Sequence, residues 1–424
     1  MGYLILALAS CLILCAVHFA FRPKQISLVD SFLFFFLLQY GPHSLFVTPL
    51  SEFAGRTSSD SERYYLLGMT LTYLCLAAVI TAYGFLLRDS DPAVQVIRVG
   101  DRGILMPVLL AAGYVLFFAA LQGKSLEITR EYVRGFSGSS VFEYTELRRE
   151  LFDDTLYVRI ASLTRQTTTA LLFSWLMSRV RPFRFESLIV LGAAGVLFVI
   201  CAMQMNKFPF AYFLTLAAIS LVRDVVPGDR PTSGRLLRWL LPCAAIACVG
   251  LLFVLYRIQY RGSGLSEDRL NKVVVYRVLF CSADTLRLWF DYFPVSHPFL
   301  GAQGIPVLAN MMDIEPVNAT RLIPENYVPG VDTTFQVGFI GSGFATMGYW
   351  GIAAYSTFVA VFVLTANHFM NRDQYAAWAP FWNVLLLNML FFTTRELHTA
   401  LLSGGTVSVF LLMWICRSMP RVQL

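Results

Sequence analysis

Charge is what this sequence has least of. Asp, Glu, Lys and Arg make up 14% of its 424 residues, against 57% hydrophobic residues. A water-soluble domain of this length needs far more polar surface, so a soluble globular protein is excluded. The few charges are bunched between apolar runs long enough to cross about 30 Å of hydrocarbon. Cysteine is used sparingly as well. Of eight Cys, only Cys281 lies in a loop; Cys11, Cys15, Cys75, Cys201, Cys243, Cys248 and Cys416 sit in or at the ends of apolar runs. That distribution speaks against a disulfide framework and shows no zinc-type spacing, so no metal is expected. Walker loops, Rossmann glycine patterns, a Ser–His–Asp order, internal repeats and low-complexity stretches are all missing. The net charge of +6 is modest and is not a nucleic-acid signature. The first apolar run lacks a basic n-region and a clear cleavage motif, and it reads as a retained helix rather than a signal peptide.

What the sequence does have is an all-α polytopic membrane pattern, with about eleven transmembrane spans in windows of about 19 residues. They fall near 3–20, 28–47, 65–87, 103–121, 158–178, 186–205, 208–222, 237–257, 338–366, 376–394 and 399–416, the ninth beginning as a loop or re-entrant turn. The chain reads as a single transmembrane domain over 1–424. Alternate connections carry Arg22 and Lys24; Arg88, Arg98 and Arg102; Arg179, Arg181 and Arg184; Arg223, Arg230, Arg235 and Arg238; Arg372; and Arg417 with Arg421. These belong on the cytoplasmic side, which sets the N-terminus outside and the C-terminus inside. The other side then holds a medium loop, 122–157, and a large loop, 258–337, carrying short helices. Both are rich in Arg despite facing outward. Long loops translocate regardless of charge, so their arginines reflect something other than topology.

Several residues stand out chemically. The fifth span opens VRIASLTRQTTTA, in which Arg159, Ser162, Arg165, Gln166 and Thr169 share one helical sector. An arginine at mid-membrane costs at least about 2.5 kcal/mol, so such a stripe is expected to face a bundle interior or a wet cavity. Two arginines snorkelling to the outer interface give the blander reading. Arg257 and Arg261 share a face at the end of the eighth span, and Arg269, Lys272, Arg277 and Arg287 follow. The segment VYRVLFCSADTLRLWFDYF is amphipathic enough to lie as a helix on the bilayer surface. Arginine's rigid fork suits phosphate oxygens, and several together are able to hold a diphosphate. Lys207 occupies a tight outer turn, as an interface anchor or aimed at a headgroup. The last outer turn, TTRELHTA, gathers Arg395, Glu396 and His398. Candidate bases are Glu396, His398 and Asp332.

The stretch from Arg277 to about Tyr355 carries a family resemblance. An arginine-bearing helix is followed by HPFLGAQGIP, a variable segment ending NYVPGVDTTFQVGFIG, and FATMGYWGIAAY at the return into the membrane. This resembles the Wzy-type polymerases of lipid-linked oligosaccharide repeat units, which build O-antigen of lipopolysaccharide or exopolysaccharide and are related to O-antigen ligases. The many-span layout with a long loop before the last three helices is similar too. The resemblance implies a GT-C-like helical fold in the bacterial inner membrane and a metal-independent glycosyltransferase with no cofactor. It implies undecaprenyl-diphosphate-linked oligosaccharide and polysaccharide as substrates, the lipid bilayer as surroundings, and a chain-length regulator protein as partner. Diphosphate- or substrate-binding residues would be Arg159, Arg165, Lys207, Arg261, Arg277, Arg287 and Arg395. Related ligases place a histidine where this chain has Asp332–Thr334; no histidine stands there, which argues against a ligase. The alternatives are a ligase-like transferase and a transporter or flippase of lipid-linked oligosaccharides. A flippase should show repeat symmetry and charges along a full transmembrane path.

Overall fold

The computed structural model describes residues 2–21, 27–41, 57–58, 60–86, 105–121, 160, 164–180, 185–202, 207–225, 250, 253–254, 257, 266–329, 334–372 and 378–418. Every regular element among them is helical: α1 (Gly2–Phe21), α2 (Leu28–Tyr40), α3 (Ser61–Leu86), α4 (Leu105–Leu121), α5 (Ala170–Met177), α6 (Glu186–Ala202), α7 (Lys207–Val225), α8 (Glu267–Val275), α9 (Cys281–Tyr292), α10 (Pro306–Met311), α11 (Ala319–Tyr327), α12 (Phe339–Arg372), α13 (Ala379–Thr394), α14 (Leu397–Leu401) and α15 (Thr406–Ser418). Four helical stretches, Gly2–Phe21, Ser61–Leu86, Phe339–Met370 and Leu397–Cys416, are long and apolar enough to cross a membrane, and five shorter apolar helices accompany them. The expected spans overlap these helices or α5, except 237–257, which lies mostly outside the described residues, as does the whole of 122–157. The large loop carries the short helices α8 to α11.

The chain divides into two compact units: residues 1–93, 279–372 and 389–401 in one, and 94–278, 373–388 and 402–424 in the other. In the first unit α1 lies along α3, with Gly84 leaving room for the Phe21 ring. At α2 the N-terminal amides that a helix leaves unpaired are taken up by a capping box, Asp30 N–H to Ser27 Oγ at 3.1 Å and Ser27 N–H to Asp30 Oδ2 at 2.9 Å. The Asp30 carboxylate also meets His18 Nε2 at 3.0 Å, and the Leu28 amide donates to Asn367 Oδ1. Phe32 and Phe36 of α2 pack on Phe339. In the second unit the helix contacts include buried hydroxyls and amides. Ser174 of α5 and Ser220 of α7 bond each other at 2.8 Å, and both accept from Asn383 Nδ2 of α13; Tyr212 donates to Asn388 Oδ1. Such bonds hold helices together where apolar burial gives no preference for neighbours over lipid.

α12 is broken near its start. Met347 has φ −142° and Gly348 has φ 61°, ψ −141°, a combination open essentially to glycine alone. Across the break the backbones of Gly343 and Gly351 touch; a Cβ on Gly351 would stand 1.9 Å from the Gly343 carbonyl oxygen. In an unbroken helix those residues lie about 12 Å apart. The chain therefore folds back on itself, and residues 337–346 form a short arm buried throughout. The start of this span, expected as a loop or re-entrant turn, is a helical arm that folds back at a break glycine permits.

Candidate active site

The broken helix positions most of what surrounds it. Stopping a helix leaves its last carbonyls unpaired. The Ala345 carbonyl is taken by the Leu300 amide at 2.8 Å, from the HPFLGAQGIP turn. The Phe299 ring fills the space beside Gly348, and Gly304 lies next to Thr346 Oγ1. Two of the sequence motifs that carried the family resemblance, HPFLGAQGIP and FATMGYWGIAAY, thus form one contact, turn against break. At the other end of the arm, the Gly338 amide donates to Tyr40 Oη, which donates to the Thr393 carbonyl at 2.8 Å. A Cβ on Gly338 would stand 2.5 Å from that same carbonyl oxygen. The Leu397 amide donates to Ser342 Oγ, itself on the arm. The arm is in this way tied to the turn 395–397.

Among the described residues outside the membrane-spanning helices, that turn holds the most perturbed carboxyl. Glu396 is 16% exposed, and burial pushes its carboxyl up to about 7 from the ordinary 4.5. Loss of water disfavours the charged form, and here it leaves the group near half-ionised at neutral pH. Its Oε2 lies 3.4 Å from His398 Nε2. Tyr355, on the far side of the α12 break, lies close enough to feel the Glu396 charge and to reach Thr346. Arg395 holds its guanidinium 4.5 Å from the centre of the Phe391 ring, a cation–π contact that fixes the side chain. A carboxyl raised towards neutrality and 3.4 Å from a histidine is equipped to take a proton.

α9 departs from its sequence reading. Its amphipathic pattern suggested a helix resting on the bilayer; the structure buries residues 283–293 on every side. Phe290 stacks on Phe344 at 4.1 Å and fills the space above Gly68, and Trp289 and Leu286 are wholly buried. The polar stripe answers to protein, not to headgroups. Arg287 pairs with Asp284 at 3.3 Å, both sealed from solvent. Asp291 accepts from the Ser58 amide at 2.7 Å, the Ser58 hydroxyl and the Tyr327 hydroxyl, joining the approach to α3, α9 and α11. Burial and the adjoining Asp291 carboxylate push the Tyr327 phenol well up, so it stays a donor. Arg287 is thus neutralised within the fold.

The other expected phosphate-binding residues fall on separate elements or outside the described residues. Arg165 begins a π-helical turn, Arg165–Thr169, in which Gln166, Thr167 and Thr169 are buried. Tyr114 bonds the hydroxyls of Thr164 and Thr169, and Gly405 packs against the Gln166 carbonyl. Of the stripe, Gln166 and Thr169 face protein, and Tyr114 meets Thr169; Ser162 lies outside the described residues. Arg277 lies on a second π turn, Tyr276–Phe280, and is exposed. Such turns often accompany functional sites. Lys207 is the first residue of α7. Arg159, Arg261 and Asp332 lie outside the described residues. Sequence reasoning missed the Asp284–Arg287 pair and the Asp291 cluster, although the spacing 284, 287, 291 marks one helical face. No family model, curated protein or solved structure matches this chain.

Proposed function

We propose that this protein is a glycosyltransferase that polymerises undecaprenyl-diphosphate-linked oligosaccharide repeat units at the periplasmic face of a bacterial inner membrane. In this reading about eleven spans cross the bilayer, with the N-terminus periplasmic and the C-terminus cytoplasmic. The observation that carries the proposal is the largely buried Glu396 carboxyl, raised to about 7 and 3.4 Å from His398.

The chemistry follows from those groups. Outside the cytoplasm no nucleotide-sugar pool exists, so the bond energy arrives on a lipid diphosphate. Glu396 takes the proton of the acceptor hydroxyl as its oxygen attacks the anomeric carbon of the donor chain. The bond from that carbon to the diphosphate oxygen breaks, and the leaving diphosphate gains negative charge. Guanidinium groups fixed beforehand stabilise that charge more than the ground state. Arg395 is held for this by Phe391. Arg287, already paired with Asp284, supports the fold around the site.

The test incubates purified protein with lipid-linked repeat units and resolves the products by size. A ladder formed without any acceptor core supports a polymerase. Transfer only onto an added core identifies a ligase-like transferase, and movement across the bilayer with no new bond identifies a flippase. Either of those outcomes overturns the proposal.

A further inference from the structure

With α9 buried, the outer loop needs another way to meet the membrane. The segment that follows the turn Gly301–Gly304 has the opposite character to α9. In α10, Ala309 is the one fully buried residue, while Val307, Leu308 and Met311, and Met312 just beyond, are exposed; Met311 is 79% exposed. Phe299, just before the turn, is exposed as well. No charge interrupts this run until Asp313. An apolar patch of this extent seldom faces water.

The position of the patch says what covers it. The turn packs against both α10 and α12, and Phe299 touches Gly348 at the break. Beside that break Met347 is exposed, and Trp350 is 83% exposed at the start of the long arm of α12. That arm belongs to a stretch apolar enough to cross a membrane, and tryptophan favours the level where hydrocarbon meets headgroups. The exposed face of α10 is therefore continuous with the lipid-facing surface of α12, at its outer end.

We infer that α10 and its flanks, residues 299–312, form a foot that sits in the outer leaflet of the bilayer and fixes the broken helix at the depth of the lipid headgroups. Its occupant is phospholipid acyl chain. The inference takes its sidedness from the topology proposed above but does not depend on the chemistry, so each can fail alone.

The experiment reconstitutes the unaltered protein in lipid nanodiscs containing a phospholipid with a diazirine on its acyl chain. After illumination, carbene-labelled residues are located by mass spectrometry. Label is expected on Val307, Leu308, Met311 and Met312 and on the lipid-facing Phe358 of α12, but not on the α11 segment 319–327. A Leu308→Asp, Met311→Asp double variant should lose the label at 306–312 while Phe358 stays labelled. Label at Phe358 with none at 306–312 in the unaltered protein overturns the inference. So does protection of 306–312 accompanied by cross-links between two copies of the chain there, which would make the patch a protein interface.

Discussion

Glu396 sets up opposing demands of stability and activity, and replacing it by glutamine separates them. In the unfolded chain the carboxyl titrates near its ordinary 4.5; in the fold, burial raises it to about 7. Below pH 4.5 both states carry the proton, and the group is neutral in its buried position. As pH rises from there to about 7, the unfolded state loses its proton first, and the folded state becomes less stable. The gap corresponds to about 3 kcal/mol, an upper figure because the side chain keeps some contact with solvent. Glu396→Gln stays neutral throughout. Its thermal midpoint in detergent should match that of the parent near pH 4 and exceed it at pH 8. Activity should move the other way. Only the ionised carboxyl accepts a proton, so the parent rate should climb about tenfold per pH unit and level off above about 7. The glutamine variant should lose about 10²–10⁴-fold in chain extension. A stability difference between parent and variant that is the same at pH 4 and pH 8 would refute the burial argument. Full extension activity in the variant would remove Glu396 as the base.

The remaining expectations concern the scaffold and the arginines. Gly348→Ala forces a β-carbon into a backbone region closed to it and against the Phe299 ring, so it should cost about 1–3 kcal/mol, seen as a lowered thermal midpoint. Arg287→Ala leaves Asp284 charged and buried, a loss of about 3–5 kcal/mol that should appear as reduced protein level, with Asp284→Asn in the same chain restoring much of it. Arg277→Ala, at an exposed position, should leave protein level unchanged and impair chain extension; unchanged product length would remove Arg277 as a substrate-binding residue. Tyr327→Phe removes a donor from Asp291 and should destabilise by about 1–3 kcal/mol without altering the pH dependence of the rate.

The helical class and the places of the apolar helices were legible because hydrophobic run length reports directly on burial or lipid contact. The turn at Arg395, Glu396 and His398 was visible as a cluster, but its perturbation was not, since desolvation of Glu396 depends on the arm of α12 folding back beside it. Amphipathicity misled at α9. Periodicity shows that Asp284, Arg287 and Asp291 share a face, yet it does not say whether that face meets headgroups or other side chains. Here Ser58, from a segment more than two hundred residues earlier, and Tyr327 supply the partners. The lipid contact we infer for α10 left no such signal, because that helix is too short for its pattern to register as amphipathic.

The contact of Gly343 with Gly351 also bears on how freely this sequence can vary. Most of unit one is held by rings and aliphatic chains that tolerate exchange for others of like volume. The fold-back of α12 is held by the absence of side chains at 343, 348 and 351, a requirement that no other residue meets. Random mutagenesis with selection for folded protein should therefore leave a spaced triplet of glycines standing in a segment whose remaining positions drift.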